Sequence, residues 1–474
     1  MKTASEAHAD TPAQPPVDAA AGTPQLARRL GLFDATMIVM GGIIGSGIFI
    51  NAYVVARQLH PPLLVLGAWA MGGLIALAGA FIYAELAAHR PQVGGQYAYI
   101  REAFHPLPAF LYGWTLLLVT QTGGMAAVAV TFAKYFAQLT NLPDTDWTSA
   151  IIATVALALL TLINCLGVRA GSTVQSALMV LKIIAIVALI FCGLFIAKGT
   201  SQAIVSNPTN DWQPSASYLA PGMDWSTFAA FGAALVPVMF AYGGWQTSCF
   251  IAGEVREARK NLPRGLLIGV MGVIALYMLA NYAYLHVLGV DQLAQTKTPA
   301  SEVMRLVLGE RGKTLIATGI AISTLGFLSQ GMLTAPRVYF AMADDRLFFK
   351  RVAWLHPATR VPVVAIALQG MLAILIILAL SGIYAKILNY VMSVDTIFFA
   401  VSAACLFIFR RRDGQAGFRV PGHPWTTLLF IIAETFVALS VMYNFPRDSV
   451  KGWAILFAGI PVYFFWRRKS NEHN

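Results

Sequence analysis

Residues 34–57 form an apolar run long enough to cross a membrane, yet the middle of that run reads GGIIGSGIF, from Gly41 to Phe49. Four glycines and a serine in nine residues make a poor helix, because each glycine costs about 1 kcal/mol relative to alanine. A helix broken at membrane depth leaves backbone N–H and C=O groups without partners. Lipid cannot satisfy them, so such a break is tolerated only where it is buried in protein or lines a cavity. The break therefore predicts a binding site.

The rest of the chain supplies the membrane setting. Hydrophobic residues make up 57% and charged residues 12% of 474 residues, too little polar surface for a soluble protein of this size. Apolar runs able to cross about 30 Å of hydrocarbon fall near 34–57, 62–87, 107–138, 148–168, 172–197, 226–254, 264–288, 312–343, 362–381, 384–409, 424–443 and 452–467. They predict an all-α membrane protein of twelve spans, with the third and eighth long enough to tilt strongly. Residues 1–27, rich in Ala, Pro, Thr and Asp with no apolar signal core, read as a disordered tail. Residues 28–468 read as one twelve-span membrane domain, and 469–474 as a short tail.

A net charge of +11 would suggest nucleic acid in a soluble domain, but here the basic residues sit in the connections between apolar runs. Leaving out Lys2, Lys134, Lys182 and Arg337 as tail or span residues, twenty Lys and Arg fall on one side of the membrane and nine on the other. That asymmetry puts both termini in the cytoplasm, in a cytoplasmic (inner) membrane protein without nucleic-acid partners. The four cysteines, Cys165, Cys192, Cys249 and Cys405, lie within apolar runs and match neither a disulfide framework nor a metal site. The eight histidines are scattered, and none is paired at a metal-ligand spacing.

A second broken span, FAYGGWQTS from Phe240 to Ser248 with Pro237 just before it, follows the first by about 195 residues. It interrupts the sixth span as the first break interrupts the first, so the sixth span stands where the first stood. An odd number of spans per unit sets the second unit on the opposite face, so residues of about 34–197 and 226–409 read as inverted repeats. The runs near 424–467 are left as peripheral spans. Paired Gly/Pro-interrupted spans at corresponding positions of two halves point to a transporter site near the midplane.

GGIIGSGIF in the first span, FAYGGW in the sixth and PQVGGQYAYI (Pro91 to Ile100) after the second together resemble the amino acid, polyamine and organocation transporter superfamily. Within it the chain is similar to bacterial relatives of the L-type amino acid transporters, from about Gly31 to Arg468. The resemblance implies a LeuT-type fold, with spans 1 to 5 and 6 to 10 as the inverted repeats and spans 11 and 12 peripheral. It implies alternating-access transport of amino acids, without a cofactor, by a protein working as a monomer in the lipid bilayer.

The physics of a broken helix gives such a site its polarity. One lip offers unpaired N–H groups and the other unpaired C=O groups, which suits a zwitterion. The substrate carboxylate fits the N–H lip at Gly45, Ser46 and Gly47, where the missing side chains of both glycines permit close approach. By resemblance the ammonium meets carbonyls of Ile43, Phe240, Ala241 and Gly243, and Phe240 closes over bound substrate as a gate. Trp245 reads as packing that shapes the pocket floor. The plain alternative, glycines that only let helices pack closely, does not explain a GSG followed by a matching break elsewhere.

Two ionisable residues fall at membrane depth. Lys182 lies about halfway along the fifth span, too deep to snorkel, where an ammonium costs about 2.5–3.5 kcal/mol even on the lenient insertion scale. The resemblance implies a tethered cation in the place of the second sodium ion of sodium-coupled members. It would bridge the backbone near Gly41 and Gly42 to Ser323, Thr324 or Ser329 in the eighth span. A proton carrier and a paired structural charge remain the alternatives. Asp395 lies 15 residues before Arg410, about 22 Å of helix at 1.5 Å per residue. An acid there either pairs with Lys182, binds a polar side chain, takes part in proton coupling or serves as a hydrogen-bonded structural aspartate. Glu85, Glu254 and Arg337, near cytoplasmic span ends, read as rim ion pairs and gate latches.

Departures from the relatives refine the expectation. Gly243 stands where some members accepting cationic substrates carry Asp, which favours neutral side chains, and Gln246 replaces an Asn common in animal L-type members. The connection Asn141 to Trp147 lacks the Cys that joins the animal proteins to a glycoprotein partner, so no disulfide-linked heavy chain is expected. The leading reading is sodium-independent transport of neutral L-amino acids, by exchange or proton-coupled symport. Transport of cationic amino acids or polyamines is the alternative, followed by an amino acid sensor, for which the short tails leave no signalling domain. A membrane enzyme would need His or acids clustered at an interface, and a channel would need repeated filter sequences; the sequence has neither.

Overall fold

The computed structural model describes residues 26–143, 145–197, 225–379, 384–414 and 417–471, so all but the last two residues of the expected N-terminal tail lie outside it. Its helices are α1 (Leu32–Ile43), α2 (Gly47–Gln58), α3 (Pro62–His89), α4 (Gln96–Ala103), α5 (Pro106–Thr115), α6 (Gln121–Thr140), α7 (Asp146–Cys165), α8 (Val168–Phe191) and α9 (Trp225–Tyr242). They continue with α10 (Ala258–Gln295), α11 (Pro299–Thr334), α12 (Pro336–Asp344), α13 (Val363–Ala379), α14 (Tyr384–Asp413), α15 (Trp425–Asn444) and α16 (Pro446–Asn471). Among the described residues the only β pairing is one isolated bridge, Leu30 with Val255.

Among the described residues, eleven helical stretches are long and apolar enough to cross a membrane. The ninth expected span, near 362–381, is the shorter apolar helix α13, whose end borders residues outside the description. Starts follow local chemistry. Proline occupies the first turn of α3, α5 and α11, where its missing N–H costs nothing. Thr145 caps α7 by accepting from Thr148 N at 3.1 Å.

Two expected boundaries move. The eighth stretch runs Pro299–Asp344, 46 residues, because hydropathy registers the apolar run from 312 but not the polar helix before it, which carries Glu302, Arg305 and Glu310. This stretch bends at Gly309 (φ 66) and restarts at Pro336. At the other end of the chain, α16 continues through Asn471, past the expected boundary at 468.

The two breaks lie at the centre. α1 packs on α8, α10 and α11, and α2 packs on α9 and α10. α9 leads through Gly243 and Gly244 into a 3-10 helix, Trp245–Glu254, which packs on α1. The breaks touch directly, since a Cβ added at Gly42 would lie 2.5 Å from the Gly244 carbonyl oxygen. The N-terminal segment is tied to the end of the 3-10 helix by Arg29 N and Leu30 N, which donate to Glu254 O at 2.9 and 3.0 Å.

Candidate functional site

The breaks face a cavity of about 100 Å³, and its lining includes Ile43, Gly45, Ser46, Gly47, Phe240, Ala241 and Gly243. At the first break Ile44 is extended, with ψ 96. Ser46 stands at the N-cap of α2 without making a side-chain capping bond. The first N–H groups of a helix have no acceptor within it, so α2 turns free amides and the positive end of its dipole toward the cavity. A side chain at Gly47 would crowd the second break, its Cβ coming within 3.1 Å of the Ala241 backbone. Ser323 Oγ donates to Gly45 O at 3.0 Å and so steadies the broken segment from α11.

At the second break Gly244 adopts φ 102, a conformation side chains resist. Its N–H donates to Gln246 Oε1 at 3.0 Å, and its carbonyl accepts from Thr247 Oγ1 at 2.6 Å. Gln330 Nε2 in turn donates to Thr247 Oγ1 at 2.6 Å. Gln246 therefore props the break as well as lining the cavity.

The carbonyls expected to receive an ammonium are partly engaged. Phe240 O accepts from Gly243 N at 3.2 Å. The Tyr277 hydroxyl of α10 lies 3.2 Å from both Ile43 O and Ala241 O. One hydroxyl has one proton and each carbonyl has two lone pairs, so every one of these oxygens keeps acceptor capacity. Tyr277 is fully buried, and sequence reasoning missed it because a tyrosine within an apolar run carries no signal that separates a hydrogen-bond bridge from packing.

Lys182 is also fully buried. Its ammonium donates to Ile44 O, and to Gly41 O at 3.4 Å, on the side of the first break away from the cavity lining. The expected bridge to hydroxyls of α11 is not formed. Ser323 serves Gly45, Thr324 Oγ1 bonds back to Ile320 O and Ala321 O at 2.9 Å, and Ser329 Oγ has no partner among the described residues. What α11 contributes is room, since a Cβ at Gly326 would sit 2.6 Å from Lys182 Cε. Nor does Asp395 pair with Lys182 among the described residues; Asp395 points from α14 into the cavity.

The far wall is aromatic and acidic. Trp245 stacks on Phe399 with centroids 5.5 Å apart, meets Tyr83 edge-on at 4.8 Å, and lines the cavity. Phe240 lines the cavity half-buried. Glu434 of α15 lines it too, although the sequence reading left that span peripheral. α15 packs on α14, α9 and α3, which carries its inner face to the cavity. The signal was present: a lone acid inside an apolar run deserves the attention given to Lys182.

At the basic end of the bundle, Arg410 donates to both Glu85 oxygens at 2.6 Å, and Val420 N adds a third bond at 2.6 Å. Arg337 and Glu254 form a two-bond pair at 3.1 and 3.2 Å with both side chains 0% exposed. Glu85, Glu254 and Arg337 are thus all ion-paired, but Arg337 and Glu254 meet in the buried interior and not at a rim.

A sequence model of amino acid permeases matches residues 30–466. The chain belongs to the amino acid permease family. The permease is 29% identical over 453 residues to the Serine/threonine exchanger SteT of Bacillus subtilis (strain 168), covering 94% of this chain and 98% of the relative. It is 28% identical over 471 residues to Large neutral amino acids transporter small subunit 2 of Homo sapiens, covering 97% and 85% respectively. A third relative, b(0,+)-type amino acid transporter 1 of Mus musculus, is 27% identical over 457 residues, covering 94% and 89%. The permease is thus a multi-span membrane transporter and not an enzyme.

Proposed function

We propose that the permease exchanges neutral L-amino acids across the cytoplasmic membrane by alternating access, independently of sodium. The observation that carries this reading is the convergence of two helix breaks on one cavity, with free amides on one lip and carbonyls with spare lone pairs on the other. The substrate carboxylate sits against Gly45, Ser46 and Gly47. Its ammonium meets Ile43, Phe240, Ala241 and Gly243. Phe240 closes over it, and Lys182 acts behind the break as a fixed cation that holds the carbonyls of Gly41 and Ile44. The relatives named for serine and threonine and for large neutral amino acids support an uncharged substrate class.

In this reading the chain crosses the membrane twelve times with α13 as the ninth span. Residues of about 34–197 and 226–409 are inverted repeats, and both termini are cytoplasmic. It works as a monomer without a disulfide-linked second chain, in keeping with the absence of Cys from the connection 141–147.

Uptake of labelled serine, threonine and leucine into proteoliposomes tests the proposal. Accumulation that requires internal counter-substrate is expected, with no response to a sodium gradient. Accumulation driven by an inward proton gradient without counter-substrate would replace exchange by symport. Binding without movement under either condition would overturn transport.

A further inference from the structure

The geometry points to a second, acidic subsite in the same cavity, formed by Asp395 of α14 and Glu434 of α15, which takes an amine or guanidinium group at the far end of a transported molecule. It rests on the reading of the cavity as the transport site. It goes beyond that reading by extending the substrate class to molecules with a positively charged side chain.

Both carboxyl groups belong to the cavity lining, and they lie close enough to act on each other electrostatically. Asp395 is partly open to the cavity, whereas Glu434 is 1% exposed. Glu434 Oε2 has no hydrogen-bond partner among the described residues. A buried carboxylate without a partner is costly, and an opposite charge with hydrogen-bond donors offsets that cost. The cavity lining supplies no such charge, because it includes neither Lys nor Arg. Lys182, the buried cation behind the first break, is bonded to the carbonyls of Ile44 and Gly41 outside the lining.

The other titratable groups that sense Asp395 are phenols, Tyr83 on α3 and Tyr112 on α5. The Tyr112 hydroxyl is spent on Gln96 Oε1 at 2.8 Å. Trp245 and Phe399, stacked on each other, complete the wall. Two acids, one with an unpartnered carboxyl oxygen, in a lining without Lys or Arg describe a receptor for a positive group brought by the ligand.

The test uses wild type, Glu434→Gln and Asp395→Asn in proteoliposomes, with labelled serine as reporter at pH 7.5. Unlabelled L-ornithine and L-2,4-diaminobutyrate compete against it beside L-norvaline, a neutral comparator of similar length. In wild type at least one diamino acid is expected to compete about tenfold better than norvaline. Each substitution is expected to reduce that ratio severalfold, and the ratio is internal to each variant, so a change in expression does not move it. Wild-type protein that shows no preference for either diamino acid overturns the subsite, as does a preference that survives both substitutions. Serine uptake that acquires its drive from an inward proton gradient and loses that drive in Glu434→Gln also overturns it, because the pair then carries a proton. If no labelled amino acid enters at all, the transport reading fails on its own. Calorimetric titration of ornithine against norvaline into purified protein then decides the subsite separately.

Discussion

The buried pair of Arg337 and Glu254 offers a measurement whose size follows from the geometry. The charges lie 3.1 Å apart with both side chains 0% exposed, and at an effective dielectric of 20 their attraction is about 5 kcal/mol. Removing one partner leaves an uncompensated buried charge, which costs about 3–5 kcal/mol. Arg337→Met is therefore expected to destabilise the protein by that amount, and Glu254→Leu by a similar amount. The pair does not repay its own desolvation fully, since Arg337 Nη1 has no partner among the described residues. Replacing both residues, Glu254→Leu with Arg337→Met, is expected to restore stability to within about 1 kcal/mol of wild type or to exceed it. Reversible unfolding in mixed micelles, followed by tryptophan fluorescence, gives all four corners of the cycle. A single substitution that costs less than about 1 kcal/mol refutes the reasoning, and so does a double variant whose loss equals the sum of the two singles.

The other predictions concern the breaks and one loop. Lys182→Ala removes two charge-assisted hydrogen bonds from the carbonyls of Ile44 and Gly41, each worth about 1.5–3 kcal/mol. Serine uptake is expected to fall by about 100-fold or more, and wild-type uptake would remove Lys182 from the mechanism. Gly42→Ala drives a methyl group against the Gly244 carbonyl, and overpacking of about 1–3 kcal/mol should slow exchange roughly 5- to 150-fold; an unaffected rate would mean that the two breaks are free to separate. Tyr277→Phe loses the hydroxyl shared by Ile43 and Ala241, and at about 1 kcal/mol for one hydrogen bond the KM for serine should shift roughly fivefold, with no shift counting against a role at the lip. His423, between α14 and α15, is pushed below the ordinary histidine value by burial and by the Arg410 charge. Its contribution to the loop is therefore present above about pH 6.5 and is lost as pH falls below that value. Corrected for the intrinsic exchange rate, which itself falls with pH, the protection of residues 417–424 should drop between pH 7.5 and 5.5 in wild type but not in His423→Gln, and equal behaviour of the two contradicts the assignment.

Much of the architecture was legible in the sequence because lipid leaves the chain few options. Twenty-odd apolar residues in a row can only be a helix in a membrane, and GGIIGSGIF and FAYGGWQTS can only be tolerated at a cavity. The structure has both breaks at one cavity, with Gly45, Ser46, Gly47, Phe240 and Ala241 on its walls. What the sequence concealed were contacts made across the bundle. Ser323 looked like a partner for Lys182, but a hydroxyl on α11 can reach any of several carbonyls at the break, and which one it takes depends on helix rotation that hydropathy does not encode. Tyr277 and Gln330 were hidden for the same reason. Glu434 was missed differently: its run was assigned to a peripheral helix, so its charge was not weighed as Lys182 was. The long polar start of α11 was lost because apolar runs mark where lipid begins and not where helices do.

The contact between Gly42 and Gly244 bears on how such a transporter could change its diet. The amides and carbonyls at the lips belong to the main chain, so substitution cannot alter their chemistry, and the backbone contact forbids side chains that would move them. Recognition of the common part of every amino acid is in that sense frozen. Variation is left to the outer wall supplied by α14 and α15, where Asp395 and Glu434 line the cavity without a hydrogen bond to either break among the described residues. Anyone redesigning this protein to carry a different cargo should leave the glycines alone and work on that wall.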